Sequence, residues 1–236
     1  MHMTRAALAI SLALVVVTAA PADEFRDLFD RKSLDGWVID GPKADKAGQP
    51  IWTVRDGTIV ASGKAFGFLR YDRQQFGDFA LRVEYRFAPA MTARDRGNSG
   101  LGIRTGVFDA KKSQLTRPSF AAYEIQLLDD AGKPPSEHGS GSLYRYAAPT
   151  ANPVKPAPEW NAVEVECVGP RIKVTMNGQL ILDADQTKLA DIKKPAGAAA
   201  APTPKDKPLA GYVALQSHSG LVEFRKVRVR EMKSEK

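Results

Sequence analysis

The sequence predicts an all-β protein, a sandwich or jelly roll, and three observations carry that expectation. Apolar and polar residues alternate along many short segments, which puts successive side chains on opposite faces of a strand. Asp56-Gly57 and Asn177-Gly178 each stand between two such segments, the signature of a two-residue hairpin. No apolar stripe of helical period and useful length follows the N-terminal apolar run. With 236 residues, 43% hydrophobic and 26% charged, the composition is ordinary for a globular chain and sufficient for one sizeable core.

The chain begins with the short basic stretch Met1-His2-Met3-Thr4-Arg5. Ala6 to Ala20 is then apolar except for Ser11 and Thr18, and Ala20-Pro21-Ala22 offers a small-x-small cleavage site before Asp23. This is the pattern of a secretory signal peptide over residues 1–22, too short for a good membrane span. The expected mature form is a single domain over 23–236, periplasmic or secreted, with no stable membrane insertion. Cys167 is the only cysteine, so no internal disulfide forms. Its place on an alternating segment suits a buried, inert thiol. The net charge of +7 falls to +6 with the loss of Arg5, and the remaining cations are scattered, as at Lys193-Lys194, Lys205, Lys207 and Arg225-Lys226. No aromatic residues interleave with them, so nucleic acid is not an expected partner.

In chain order, Ile51-Trp52-Thr53-Val54 and Ile59-Val60-Ala61 flank the Asp56-Gly57 turn, and Phe66 to Tyr71 reads as the next strand. Asp78 to Ala88 alternates most cleanly, with Phe79, Leu81, Val83, Tyr85 and Phe87 set against Ala80, Arg82, Glu84 and Arg86. Trp160 to Val168 and Arg171 to Met176 follow, and Asn177-Gly178 turns the chain into Gln179-Leu180-Ile181-Leu182. Gly211 to Ser217 and Leu221 to Arg230 close the domain. Gly132 to Pro158 is too rich in proline for long strands. Its Tyr144, Arg145 and Tyr146 favour a functional loop. Residues 188–208, with Ala198-Ala199-Ala200-Ala201 and four prolines, read as a flexible surface insertion without apolar anchors.

The segment around which the rest is organised is Tyr123-Glu124-Ile125-Gln126-Leu127-Leu128. Tyr123, Ile125 and Leu127 want a core. Glu124 and Gln126 stand about 7 Å apart on the other face. Asn98-Ser99-Gly100-Leu101-Gly102-Ile103-Arg104 and Leu215-Gln216-Ser217-His218 deliver long polar side chains with the same alternation. The candidate binding constellation is Asn98, Arg104, Glu124, Gln126, Tyr144, Trp160, Asn161, Gln216 and His218. Amides, a guanidinium and aromatic rings suit a sugar, whose hydroxyls need donors and acceptors and whose faces stack on rings. Core packing for Trp160 and Tyr144, and a turn for Asn98-Ser99-Gly100, are equally good readings.

Other chemistry finds less support. The three histidines show no ligand spacing and no Asp-x-Asp-x-Asp-Gly loop is present, so neither metal nor cofactor is expected. No Gly-x-Ser-x-Gly occurs. A retaining glycosidase needs two carboxyl groups about 5–5.5 Å apart. Beyond Glu124 the same face offers only Gln126 and Leu128, so a second acid would have to come from another strand or loop.

Several motifs together carry a family resemblance. Leu28-Phe29-Asp30, Leu34-Asp35-Gly36-Trp37 and Trp52-Thr53-Val54-Arg55-Asp56-Gly57 resemble the opening of the family once named domain of unknown function 1080, now the 3-keto-disaccharide hydrolase domain. Asp78 to Arg86, Asn98-Ser99-Gly100 with Arg104, and Tyr123 to Asp129 are similar to its middle. Gly141-Ser142-Leu143-Tyr144, Glu159-Trp160-Asn161, Asn177-Gly178 and Leu215 to Gly220 are similar to its end. The chain departs from the pattern in having Gln-Ser-His for Gln-Asp-His, Lys226 for Asn, and the insertion.

The resemblance implies a concanavalin A-like jelly-roll sandwich, with its polar site on the concave sheet, in exported enzymes that cleave 3-keto-glycosides. Such substrates would be supplied by a sugar-oxidising oxidoreductase. A 3-keto group acidifies the C2 proton, so one base, one oxyanion stabiliser and one proton donor suffice. Glu124 is expected as the base, Arg104 as the stabiliser and His218 as proton donor or sugar anchor. Asn98, Gln126, Tyr144, Trp160, Asn161 and Gln216 would bind substrate. A non-catalytic carbohydrate-binding module, and an ordinary glycosidase pairing Glu124 with Asp129 or Glu137, remain open alternatives.

Overall fold

The computed structural model describes residues 24–92 and 95–232. The expected signal peptide, residues 1–22, lies outside them. Among the described residues thirteen strands form two antiparallel sheets stacked as a jelly-roll sandwich. The eight-stranded sheet has the order β11 (Gln179–Asp185), β10 (Arg171–Met176), β9 (Asn161–Val168), β6 (Phe79–Phe87), β13 (Val222–Glu231), β4 (Thr58–Ala61) and β3 (Trp52–Arg55), with β1 (Arg26–Asp27) also on β13. The five-stranded sheet runs β2 (Trp37–Asp40), β5 (Gly67–Tyr71), β12 (Tyr212–Ser217), β7 (Asn98–Thr105) and β8 (Tyr123–Leu128).

The alternation read from the sequence sorts the side chains. Phe79, Leu81, Val83, Val165, Ile172, Val174 and Phe224 of one sheet meet Leu69, Leu101, Ile103, Ile125, Leu127 and Leu215 of the other in one buried core. Cys167 belongs to that core, and burial pushes its thiol up to about 12, which leaves it inert. Both hairpins form as expected. Asp56 and Gly57 take φ of +49° and +72°, Asn177 and Gly178 +50° and +84°, the paired positive values of type I′ turns.

Three features depart from expectation. The short strands β1 and β2 carry no long alternation to announce them. The β7–β8 connection, residues 106–122, contains two four-residue helices, α1 (Ser113–Thr116) and α2 (Pro118–Ala121). Residues 188–208 are packed rather than loose. Ala198 and Ala201 are buried against Phe120 of α2, the Pro204 carbonyl accepts from the Tyr123 hydroxyl and Gln186 Nε2, and Lys207 is itself buried. The alanines are small and carry no long apolar side chain. A methyl group against a phenyl ring is apolar contact enough to seat it.

Candidate active site

The outer face of the five-stranded sheet holds the site, and its register explains why. Gly100 and Gly102 of β7 sit opposite Gln126 and Glu124 of β8, and Gly102 also faces Ala214 of β12. The missing side chains leave a trough between the polar residues of β8 and β12. Glu124 leans into it, since a Cβ on Gly100 would stand 2.8 Å from Glu124 Oε1 and 3.0 Å from its Cγ. Across the trough, Gln216 Nε2 donates to Glu124 Oε1 at 2.8 Å.

Two loops complete the walls. Residues 106–122 fold back over the sheet, where the Phe108 N–H donates to Asp40 Oδ2 and the Phe108 ring joins Phe66 and Phe68. Pro118 packs on Gly102, where a Cβ would meet its Cγ at 3.2 Å. The residue before a proline is held extended. Arg117 accordingly has ψ of 133°, and its guanidinium lies 4.5 Å from the Phe66 ring centroid. The loop flagged by Tyr144 pairs along the free edge of β8. Gly141 N–H donates to the Gln126 carbonyl and Tyr144 N–H to the Glu124 carbonyl, at 2.8 and 2.9 Å.

Phe66, Asn98, Arg117, Ser119, Glu124, Gln126, Tyr144, Gln216 and His218 line the resulting cavity. Its volume, about 30 Å³, takes one water-sized group, so it would grip one edge of a ligand rather than engulf it. A larger hollow of about 310 Å³ lies over the other sheet, but its Arg82, Glu84, Glu164 and Lys226 are committed to ion pairs. In the small cavity Arg117 Nε, Ser119 Oγ, Gln126 Oε1 and Gln216 Oε1 are buried and make no hydrogen bond among the described residues. Buried polar atoms rarely stay unpaired, so such a cluster suits a polar ligand.

Burial raises the Glu124 carboxyl to about 7, against the opposing pull of the Gln216 hydrogen bond and the Arg117 and Arg145 charges. Burial lowers Arg117, partly offset by Glu124. Burial and then the Arg117 charge lower His218, so its imidazole is neutral at pH 7. The arrangement is a basic carboxylate beside a fixed cation, able to take a proton and steady the anion that results. No cluster of three or more His, Cys, Asp or Glu with metal-ligand geometry occurs among the described residues.

Six of the nine expected residues meet here: Asn98, Glu124, Gln126, Tyr144, Gln216 and His218. Arg104 does not. A bulge where β7 pairs with β12 coincides with a φ of +51° at Arg104, which breaks the alternation that would have placed it beside Gly102. Its guanidinium is wholly buried and donates to the Gly77 and Gly169 carbonyls, at 2.9 and 2.6 Å, and to Asp78. Trp160 lies beside the other sheet, with the Arg86 and Arg225 guanidiniums 4.6 and 3.9 Å from its ring centroid. Asn161 braces the second hairpin, its Oδ1 accepting from Lys155 N–H and Asn177 Nδ2, both at 2.8 Å. The sequence reading missed Arg117 and Ser119. The Arg-Pro step marks a turn, but nothing local says which face it crosses.

A family model described as 3-keto-alpha-glucoside-1,2-lyase-like domain matches residues 24–230. A search of curated proteins gave no match. Among solved structures, a candidate glycosyl hydrolase from Parabacteroides distasonis ATCC 8503 has TM-score 0.68 at 22% identity, covering 89% of this chain and 100% of that one. A second from the same organism has TM-score 0.64 at 20% identity, covering 89% and 94%. The carbohydrate-binding module CBM66 from Bacillus subtilis has TM-score 0.51 at 12% identity, covering 83% and 96%. At these identities the likeness is one of fold, and the fold houses enzymes and binding modules alike.

Proposed function

The chain belongs to the 3-keto-alpha-glucoside-1,2-lyase-like domain family, and from that premise we propose that it cleaves 3-keto-glycosides by abstracting the C2 proton. The observation that carries this reading is the single carboxylate in the cavity. Glycosidases of the usual kinds need a second one, about 5–5.5 Å away in retaining enzymes or 6.5–9.5 Å in inverting ones. Among the described residues Glu124 is the only acid lining the cavity, and Glu137 is exposed beside His138.

In this reading the C3 carbonyl oxygen lies toward Arg117. Glu124 takes the proton from C2, whose bonding pair forms the C2=C3 enolate, and Arg117 steadies the negative oxygen. The enolate re-forms the carbonyl as the C1–O bond breaks and the leaving oxygen takes a proton. Addition of water to the C1=C2 alkene returns a proton to C2, so the sum is hydrolysis. A base with pKa near 7 is matched to this task at neutral pH. His218, being neutral, serves as a hydroxyl anchor, and Gln126, Gln216 and Asn98 orient the ring. The keto sugar requires a prior oxidation of a hydroxyl, hence an upstream oxidoreductase. Export, inferred from the residues up to Ala22, is checked by N-terminal sequencing of the mature protein, expected to start near Asp23.

The test is turnover of a 3-keto-glucoside in deuterium oxide beside the unoxidised glucoside. Deuterium should enter C2 of the product, and the unoxidised sugar should remain intact. A product with C2 fully protonated, or equal cleavage of both sugars, would remove the mechanism. Binding without turnover would leave a carbohydrate-binding module.

A further inference from the structure

Lys207 plays no part in the chemistry above, yet it is only 3% exposed. Lysines so deep are normally paired with a carboxylate. Here Nζ donates to the Ala122 carbonyl and lies 4.2 and 4.0 Å from the ring centroids of Tyr123 and Tyr146. Burial lowers the amine to about 7, with Lys194 adding to the effect and Asp191 opposing it. Either protonation state keeps an N–H for Ala122.

That carbonyl occupies a junction. Ala122 caps the C-terminus of α2, its N–H donating to Pro118 O at 2.9 Å, and Tyr123 begins β8. Arg117 and Ser119 lie on one side of the junction and Glu124 on the other. Tyr146 belongs to the loop that brings Tyr144 to the cavity. The residues leading to Lys207 grip the same place, through Ala198 and Ala201 on Phe120 and through the Pro204 carbonyl on Tyr123. Behind it, Gln186 Nε2 donates to the Lys207 carbonyl at 3.1 Å, so the lysine is anchored at its own backbone too.

We infer that Lys207 is a positioning residue: it pins the α2–β8 junction and thereby holds the Arg117 guanidinium in the cavity it shares with the Glu124 carboxyl, where its charge acts on that group. The inference borrows from the proposed function only in what it implies for turnover; the placement can be read without any substrate. With the pin removed, α2 loosens and Arg117 no longer opposes the protonation of Glu124.

The experiment follows the Glu124 carboxyl by carbon NMR in protein labelled at glutamate side chains, across pH 4–9. Lys207→Met, which fills the aromatic cage without a donor, should raise the Glu124 midpoint by roughly half a pH unit or more, the scale of losing one nearby charge. Lys207→Arg, which keeps a donor and a cation, should bring it back toward wild type. If Lys207→Met does not fold, Tyr146→Leu, which removes one wall of the cage, carries the test with a smaller shift in the same direction. A folded variant that loses melting temperature while the Glu124 midpoint stays within about 0.2 of wild type, well below the half unit expected, overturns the proposal. The expected shift in a protein that turns over no 3-keto-glucoside would leave Lys207 in its role and reject the proposed reaction instead.

Discussion

Replacing Glu124 with Gln should make the protein more stable at alkaline pH while disabling it. The carboxyl has a pKa of about 7 in the folded protein against an ordinary 4.5. A folded value above the unfolded one means that the native state holds the proton more tightly. Its contribution is therefore fully present below pH 4.5 and is lost as pH rises through 7. The displacement, 7 − 4.5 = 2.5, corresponds at about 1.4 kcal/mol per pH to roughly 3 kcal/mol of stability lost by pH 8. Glutamine matches the neutral acid in shape, still accepts from Gln216 Nε2, and does not titrate. Urea unfolding followed by circular dichroism at pH 4, 6 and 8 measures the difference between variant and wild type, in which groups common to both cancel. That difference should widen by about 3 kcal/mol from pH 4 to pH 8, on the order of 10 °C in melting temperature for a chain of this size. Turnover of a 3-keto-glucoside should fall at least about a hundredfold. A stability difference flat across pH would show that the carboxyl is not desolvated, and undiminished turnover would remove it as the base.

Gly100→Ala puts a methyl group 2.8 Å from Glu124 Oε1, so kcat should drop by roughly a hundredfold with little change in melting temperature, as steady-state kinetics and calorimetry would show. Arg117→Met and Arg104→Met should separate cleanly. The first should lower kcat by about a hundredfold or more and spare stability. The second, which leaves the Gly77 and Gly169 carbonyls without their partner, should cost on the order of 3 kcal/mol in urea unfolding while the folded fraction keeps its kcat. Deleting residues 196–204 strips Ala198 and Ala201 from Phe120 and should cost about 2 kcal/mol or more, seen as a lower melting temperature; an unchanged value would show the segment to be loose.

Strand identity was legible because it depends on neighbours in sequence. Alternation from Phe79 to Phe87 and from Tyr123 to Leu128 assigns each residue to core or surface without knowledge of the partner strand. The two type I′ turns were legible for the same reason, since positive φ at adjacent positions is a property of Asp-Gly and Asn-Gly themselves. Glu124, Gln126 and Gln216 followed directly, being regular positions on regular strands. Arg104 sits on an apparently regular strand too, but a bulge against β12 turns it away. A bulge is a relation between two strands, and one strand's sequence does not report it.

The sequence by itself determined the all-β class, the hairpins, the core face of each long strand and the presence of one acid in a polar row. Those follow from backbone geometry with a period of two, and they need no long-range information. The tertiary structure alone decided that Arg117 rather than Arg104 shares the cavity with Glu124, that Trp160 is taken up by the Arg86 and Arg225 guanidiniums, and that the Ala-Pro segment is seated on Phe120. Each depends on where a connection crosses a sheet, and that is settled by which distant surfaces fit: Pro118 on Gly102, Phe108 on Phe68, Lys207 between two tyrosines. Contacts between residues far apart in sequence are chosen by shape and burial in the assembled fold, and local alternation carries no record of them.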